Sequence, residues 1–289
     1  MNEDLNTREE QARILVEALP YIREYYGKTI LIKYGGAAMV DDRIKSAVCE
    51  DIVLMHYVGM RPVLVHGGGP EVSDVMRRLG KEPAFVNGLR VTDAETMEVV
   101  EMVLAGKTNK GIVASINGHG GLAVGLSGKD ANLIVARKAP GEVDLGFVGE
   151  VEEINPAILE SLARDGFIPV ISSVAIGRGG ESYNINADAV AGDLAWRLGA
   201  EKLVLMTDVA GILRDVNDPE SIISALTADE AAGLTSSGAV SKGMIPKVDA
   251  CVAAVKGGVK RAHIVDGRRP RALLMEVFTD TGVGTMITQ

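Results

Sequence analysis

TILIKYGG, residues 29–36, sets three branched aliphatic side chains, Ile30, Leu31 and Ile32, ahead of Lys33, Tyr34 and a glycine pair. A run this short, β-branched and closed by glycine reads as a buried strand rather than a helix. The same device recurs as PVLVH (62–66) followed by GGGP (67–70), then as IPVIS (168–172), KLVLM (202–206) and AHIVD (262–266). Helical patterns fill the gaps, one reaching about Gly59 and the next Gly80. Continuous apolar strands alternating with helices predict an α/β chain with a mainly parallel central sheet covered by helices.

Other stretches depart from this rhythm. Residues 84–90 and 122–151 carry short strands and glycine-rich turns, which predicts hairpins decorating one lobe. Thr92 followed by Glu95 reads as a capping box opening a helix through about Leu104, and a further helix is expected from Asn186 or Ala187 to Gly199. Ahead of the first strand, Leu15, Leu19, Ile22 and Tyr26 fall at spacings of an amphipathic helix that Pro20 should kink. Such a helix either packs on its own domain or serves as a handle between subunits.

With 289 residues, 47% hydrophobic and 24% charged, the chain can bury one large domain or two lobes. A net charge of −9 without any extended basic run argues against nucleic acid, although a small anion needs only a few local cations. Cys49 and Cys251 are far apart and form neither a metal motif nor a disulfide framework, so no protein-held metal is expected. The first ten residues are charged, and no run approaches the roughly 18 apolar residues of a membrane span. A cytoplasmic protein without membrane attachment is expected.

In open α/β sheets ligands gather beyond the carboxyl ends of the strands. Lys33-Tyr34-Gly35-Gly36, His66 to Pro70 and Thr207-Asp208 occupy those places. Three glycines before a helix let backbone N–H groups approach an anion, or merely make a tight turn. Lys33 should emerge at its strand end toward a structural carboxylate or a bound phosphate. Lys247 begins a helix, where it opposes the dipole, and either a phosphate or solvent would answer it. Asn184, Asn186 and Asp188 surround another helix start, where capping explains one of the three and the carboxylate could hold both lysines. Arg90 could clamp a carboxylate at two points or form an ordinary salt bridge. Gly106-Lys107-Thr108 mimics the end of a P-loop, but Glu101 stands where the earlier glycine is required; no dinucleotide fingerprint follows a strand.

Taken in order, Lys33 to Gly36, His66 to Pro70, Gly88 to Thr92, Asn184 to Asp188, Met206 to Val209 and Gly243 to Lys247 make the chain resemble the amino-acid kinase family from Thr29 to the end. The resemblance implies an open αβα sandwich whose N-terminal lobe (28–180) holds N-acetyl-L-glutamate and whose C-terminal lobe (181–289) holds MgATP. It implies that Lys33 and Lys247 neutralise the transferring phosphoryl group while Asp188 orients them. Gly68 and Gly69 would offer donors near the substrate, Arg90 and Asn184 would bind its α-carboxylate, and Gly35, Gly36, Thr207, Asp208, Gly243 and Met244 would meet the nucleotide. Lys242 stands where many members carry glycine. The acceptor γ-carboxylate is ionised at neutral pH, its reference pKa being about 4.3, so no general base is required.

The segment before residue 28 and the C-terminal run from His263 to Met286 resemble those of arginine-inhibited members. That likeness implies a helical arm (1–27) joining dimers into a hexamer, a trimer of dimers, and an arginine site using Lys202, His263, Glu276 and Gly282. Glu276 could pair with a guanidinium, although on sequence alone an exposed helix carboxylate is the more common explanation. A nitrogen-signalling protein is a further partner such members suggest. The competing expectations are kinase activity on glutamate or carbamate, a catalytically silent arginine-binding regulator, and, more distantly, an oxidoreductase.

Overall fold

A computed structural model describes residues 2–39, 41–215, 218, 220–241, 243–279 and 282–289, with the side chains of 2–8, 37 and 38 left aside. Its centre is an eight-stranded sheet in the order Ala225–Thr227, Thr285–Thr288, Arg261–Asp266, Lys202–Thr207, Thr29–Tyr34, Arg61–His66, Ile168–Ser172, Ala123–Ser127. Every neighbouring pair is parallel except Arg261–Asp266 with Thr285–Thr288. The five apolar runs of the sequence are five adjacent inner strands of this sheet, from Arg261–Asp266 to Ile168–Ser172, and all six residues of Lys202–Thr207 are buried.

Alternation along each strand divides the core. Ile30 and Ile32 face one way, toward Val48 and Ile52 of the Asp42–Tyr57 helix and Ile112 and Ile116 of the Asn109–Gly118 helix. Leu31 faces the other, toward Val190 and Leu194 of the Ala187–Arg197 helix and Val248 and Cys251 of the Ile245–Lys256 helix. Two layers of helix thus enclose the sheet, and the period of two sends Lys33 to the face Leu31 occupies. Going outward from Thr29–Tyr34, the chain builds one flank through Arg61–His66 and the other through Lys202–Thr207, so the strand order reverses beside Lys33.

The decorations differ from expectation in detail. Phe85–Val86 and Leu89–Arg90 do form a hairpin, turned by Asn87 and Gly88 with φ of 49° and 81°, as a two-residue turn with both centres left-handed. Within the 122–151 stretch, Ala123–Ser127 joins the edge of the main sheet instead, because its alternate residues find the helical layer there. Ile134–Lys138 and Val148–Ile154 close a four-stranded barrel with Val174–Gly177 and Ser182–Ile185. No helix among the described residues is long and apolar enough to cross a membrane.

The arm is two helices, Asn2–Glu17 and Leu19–Tyr25, with Pro20 in the first turn of the second, where a missing N–H is harmless. Most of its stripe stays exposed, with Leu15, Leu19 and Tyr26 at 73%, 50% and 70% and Ile22 half-buried, and Tyr25 is the fully buried residue instead.

The expected Thr92–Glu95 capping box is absent. Asp93 caps the Ala94–Glu101 helix by accepting from Thr96 N at 2.8 Å, while the Thr92 hydroxyl donates back to Arg90 O and Glu95 pairs with Lys81. The helix also does not stop near Leu104: it passes through a π-helical turn, Met102–Thr108, into Asn109–Gly118. Gly106, Lys107 and Thr108 lie in that turn, which settles that they are no P-loop.

Lys81 and the Thr96 amide hold the Asp93 carboxyl at about 2, below its ordinary 3.8. The stabilisation is therefore full above about pH 4 and fades as pH falls toward 2. Asp93→Ala is expected to cost about 1 kcal/mol in urea denaturation at pH 7, with the gap to wild type closing near pH 2; an unchanged gap would remove Asp93 as the cap.

Candidate active site

Lys33 leaves its strand on the face of the Ala187–Arg197 helix, and that helix begins there. Its Asn186 cap accepts from Asp188 N at 2.8 Å and Ala189 N at 3.3 Å, which fixes Asp188 in the first turn, where the dipole favours a carboxylate. Lys33 Nζ meets Asp188 Oδ1 at 2.8 Å, and Lys247 Nζ meets Oδ2 at 3.2 Å. Lys247 stands in the first turn of Ile245–Lys256, so the dipole conflict seen in the sequence is answered by Asp188 and by Gly243 O at 3.4 Å. Burial would push the Asp188 carboxyl up, but the two ammoniums outweigh it and hold it below the usual carboxylate range. Two cations share one anion in a nearly enclosed place, which leaves a positive charge available to an incoming anion.

Beside them runs the glycine loop. Gly68 has φ of 154°, and a Cβ there would stand 2.6 Å from Leu104 Cδ2 of the π turn, so only glycine fits. Gly67, Gly68, Gly69, Arg90, Asn184 and Asn186 line a cavity of about 180 Å³. Arg90 is not in a surface salt bridge: it is 7% exposed, donates to Gly69 O and Ser73 Oγ at 2.8 Å each, lies 4.7 Å over the Phe85 ring, and pairs with no carboxylate among the described residues. Burial, with Arg77 nearby, works against its charge, so a carboxylate in the cavity would be welcome. Asn184 reaches Thr92 Oγ1 at 3.2 Å from the barrel.

On the other side of Lys33, Gly35 abuts the ammonium, a Cβ there standing 3.0 Å from Lys33 Nζ, and Gly36 opens the Gly36–Met39 turn near Asp208 N. Thr207 ends its strand and donates to Asp208 Oδ1 at 3.1 Å. Met244 caps the Lys247 helix and lines an apolar recess with Ile212, Leu213 and Val240, while Gly243 accepts from Lys247. The positions expected for a nucleotide therefore flank the two lysines. Lys242 lies outside the described residues.

A separate cavity of about 320 Å³ opens at the far ends of the same strands, and Lys202, His263, Glu276 and Gly282 all line it. Glu276 is not an exposed helix carboxylate; it is 3% exposed and accepts from His263 Nδ1 at 2.5 Å and Val283 N at 3.0 Å. Burial alone would raise its pKa, but the His263 contact holds it down, while burial keeps His263 low and neutral. Lys202 donates to Glu276 O and sits 4.9 Å over the Tyr25 ring, so the arm forms part of this wall.

Sequence reasoning missed two participants, Tyr25 and Asn109, and gave no role to a third, His66. Tyr25 stands next to the amphipathic stripe but not in it. Asn109, fully buried, donates to His66 Nε2, Val170 O and Leu126 O, and His66 in turn holds Gly67 O. Only the strand-end position of His66 signalled it beforehand.

Comparison with known proteins follows the same line. The profile described as amino acid kinase family matches residues 28–266. An acetylglutamate kinase of Moorella thermoacetica is 58% identical over 287 residues, covering 96% of this chain and 97% of its own length. One from Nostoc sp. is 58% identical over 277 residues, covering 96% and 93%. Among solved structures, the N-acetylglutamate synthase of Neisseria gonorrhoeae complexed with coenzyme A and N-acetyl-glutamate superposes with a TM-score of 0.85 at 28% identity, over 96% of this chain. The chain spans 63% of that synthase. Its complex with coenzyme A and L-arginine gives 0.81 at 26% identity, covering 96% of this chain and 65% of that one.

Removing Asp188 leaves Lys33 buried without its counter-charge. Asp188→Asn should lose about 3–5 kcal/mol in chemical denaturation, and Lys33→Met added to it should recover part of the loss. Equal stability of Asp188→Asn and wild type would mean that the triad is not held by charge.

Proposed function

We propose, from the premise that this chain belongs to the amino acid kinase family, that it carries acetylglutamate kinase activity, moving the γ-phosphoryl group of ATP onto the γ-carboxylate of N-acetyl-L-glutamate in arginine biosynthesis. The observation that carries this reading is one buried carboxylate, Asp188, gripped by both Lys33 and Lys247 beside a cavity whose guanidinium, Arg90, has no carboxylate partner among the described residues.

The acceptor is already an anion, so the obstacle is repulsion between two anions rather than a missing base. Lys33 and Lys247 offset the charge spread over the transferring group, and Asp188 keeps both ammoniums fixed while that charge shifts. Gly68 and Gly69 supply backbone donors, and Arg90 with Asn184 takes the α-carboxylate, which aims the far carboxylate at the lysines. The nucleotide lies by Gly35, Gly36, Thr207, Asp208, Gly243 and Met244, with Mg²⁺ arriving as part of the MgATP substrate. In this reading residues 28–180 form the acceptor lobe and 181–289 the nucleotide lobe.

Feedback inhibition by arginine belongs to the same proposal. Glu276 offers a carboxylate to a guanidinium in the second cavity, and Lys202 and His263, both in contact with Glu276, line the same cavity and can meet the amino-acid end. The related synthase structure containing L-arginine supports it. Ile14, Leu15 and Val16 are 55%, 73% and 68% exposed on the arm, which supports residues 1–27 as the joint between dimers of a hexamer.

Acyl phosphate trapped as hydroxamate should form with ATP and N-acetyl-L-glutamate, not with glutamate, aspartate or carbamate. Lys33→Ala should reduce kcat by about 10²–10³-fold. Product from another acceptor alone would move the assignment within the family.

Arginine should inhibit the wild-type enzyme, and Glu276→Gln should raise the concentration needed by about tenfold or more. No inhibition of wild type at saturating arginine would discard the regulatory reading.

A further inference from the structure

We propose that His66 and Asn109 are a positioning pair that aims the glycine-loop donors at the acceptor without touching it. The proposal rests on the reading of the cleft given above.

His66 is fully buried at the end of its strand. Its Nδ1 lies 2.7 Å from Gly67 O, a group that can only accept, so Nδ1 carries the proton. The neutral ring then presents Nε2 as an acceptor, and Asn109 Nδ2 lies 3.0 Å from it. The amide cannot be turned over, because the same Nδ2 faces Val170 O at 2.9 Å and Leu126 O at 3.3 Å, and a carbonyl there would meet two others. Gly125 makes room for Asn109: a Cβ would stand 1.9 Å from its Oδ1. Three acceptors therefore orient Asn109, Asn109 selects the ring tautomer, and the tautomer holds one carbonyl of the loop.

That carbonyl controls the next donor. No peptide bond is cis among the described residues, so Gly67 C=O and Gly68 N–H point in opposite directions. With the carbonyl drawn inward by His66, the Gly68 N–H faces away from the core, on the side of the cavity that Gly67, Gly68 and Gly69 line. Gly67 N–H is itself engaged by Tyr34 O at 3.2 Å, which ties the loop to the strand bearing Lys33. Burial pushes the His66 imidazole down to about 4, so it is neither a charge nor a proton carrier at neutral pH. An oriented donor is worth most where charge develops during transfer.

Asparagine and glutamine at position 66 separate the two contacts. His66→Asn keeps an amide N–H at the level of Nδ1, for Gly67 O; His66→Gln keeps a polar atom at the level of Nε2, for Asn109, and loses Gly67. The expectation is that His66→Asn stays within about threefold of wild-type kcat, while His66→Gln falls at least about tenfold with KM for ATP within about twofold. Equal kcat in the two variants, or the reverse order, would overturn the proposal. If neither variant folds, ¹⁵N spectra of the wild-type histidines decide: Nδ1 of His66 should be protonated and Nε2 bare, and the ring signals should move when N-acetyl-L-glutamate saturates the protein. A protonated Nε2 or unmoved signals would refute the pair. A wild type that phosphorylates no N-acetylglutamate would instead refute the reading of the site, and the tautomer seen without acceptor, which does not depend on that reading, would then decide on the pair alone.

Discussion

The contact on which the arrangement depends is one carboxylate divided between two ammoniums. Asp188 can hold Lys33 and Lys247 together only if a strand end, a helix start and a second helix start converge within a few ångströms. Each of those ends is fixed by a local cause: strand alternation for Lys33, the Asn186 cap for Asp188, and Pro246 in the first turn for the Lys247 helix. Neither lysine could remain at so enclosed a place alone, since an unpaired buried ammonium is costly. The triad is therefore a structural element whose charge is nevertheless one unit short of neutral.

The same strands carry a second polar cavity at their opposite ends. Lys202 begins the strand that Thr207 finishes, about 16 Å away at 3.3 Å per residue. His263, the third residue of the adjacent strand, borders the same cavity as Lys202. A rigid, fully buried strand is a poor site for independent motion at its two ends, so the sheet fixes the spacing of the two cavities while the arm, through Tyr25, borders one of them.

Much of this was legible in the sequence. The five apolar runs, the glycine signatures and the helix from Ala187 follow from periodicity and short-range turn chemistry, which act over a few residues. Lys33 could be singled out because charge in an apolar strand demands an explanation, Lys247 because it opposes a helix dipole, and Asp188 because capping leaves it over at a helix start. What escaped depends on distant contacts. Ala123–Ser127 has the composition of a hairpin strand, and only the neighbouring Ile168–Ser172 makes it a sheet edge. Thr92 and Glu95 satisfy a capping pattern, yet Thr92 turns back to Arg90 and Lys81 draws Glu95 away. Glu276 looks exposed until His263, Gly282 and Val283 close around it, and Asn109 has no local signal because its three acceptors come from three other segments.

The π turn at Met102–Thr108 makes length, rather than composition, the quantity that inheritance must preserve there. A π turn holds one residue more than the α turn it replaces, and each residue rotates a helix by about 100°. Losing a single residue from this stretch would rephase one neighbour against the other, so that Leu104 and Asn109 could not both keep their faces toward Gly68 and His66. The exposed residues of the turn, Met102, Gly106 and Lys107, can drift one at a time, whereas a deletion or insertion has no small version. The segment should tolerate substitutions at those positions across descendants of this sequence and hold its residue count constant.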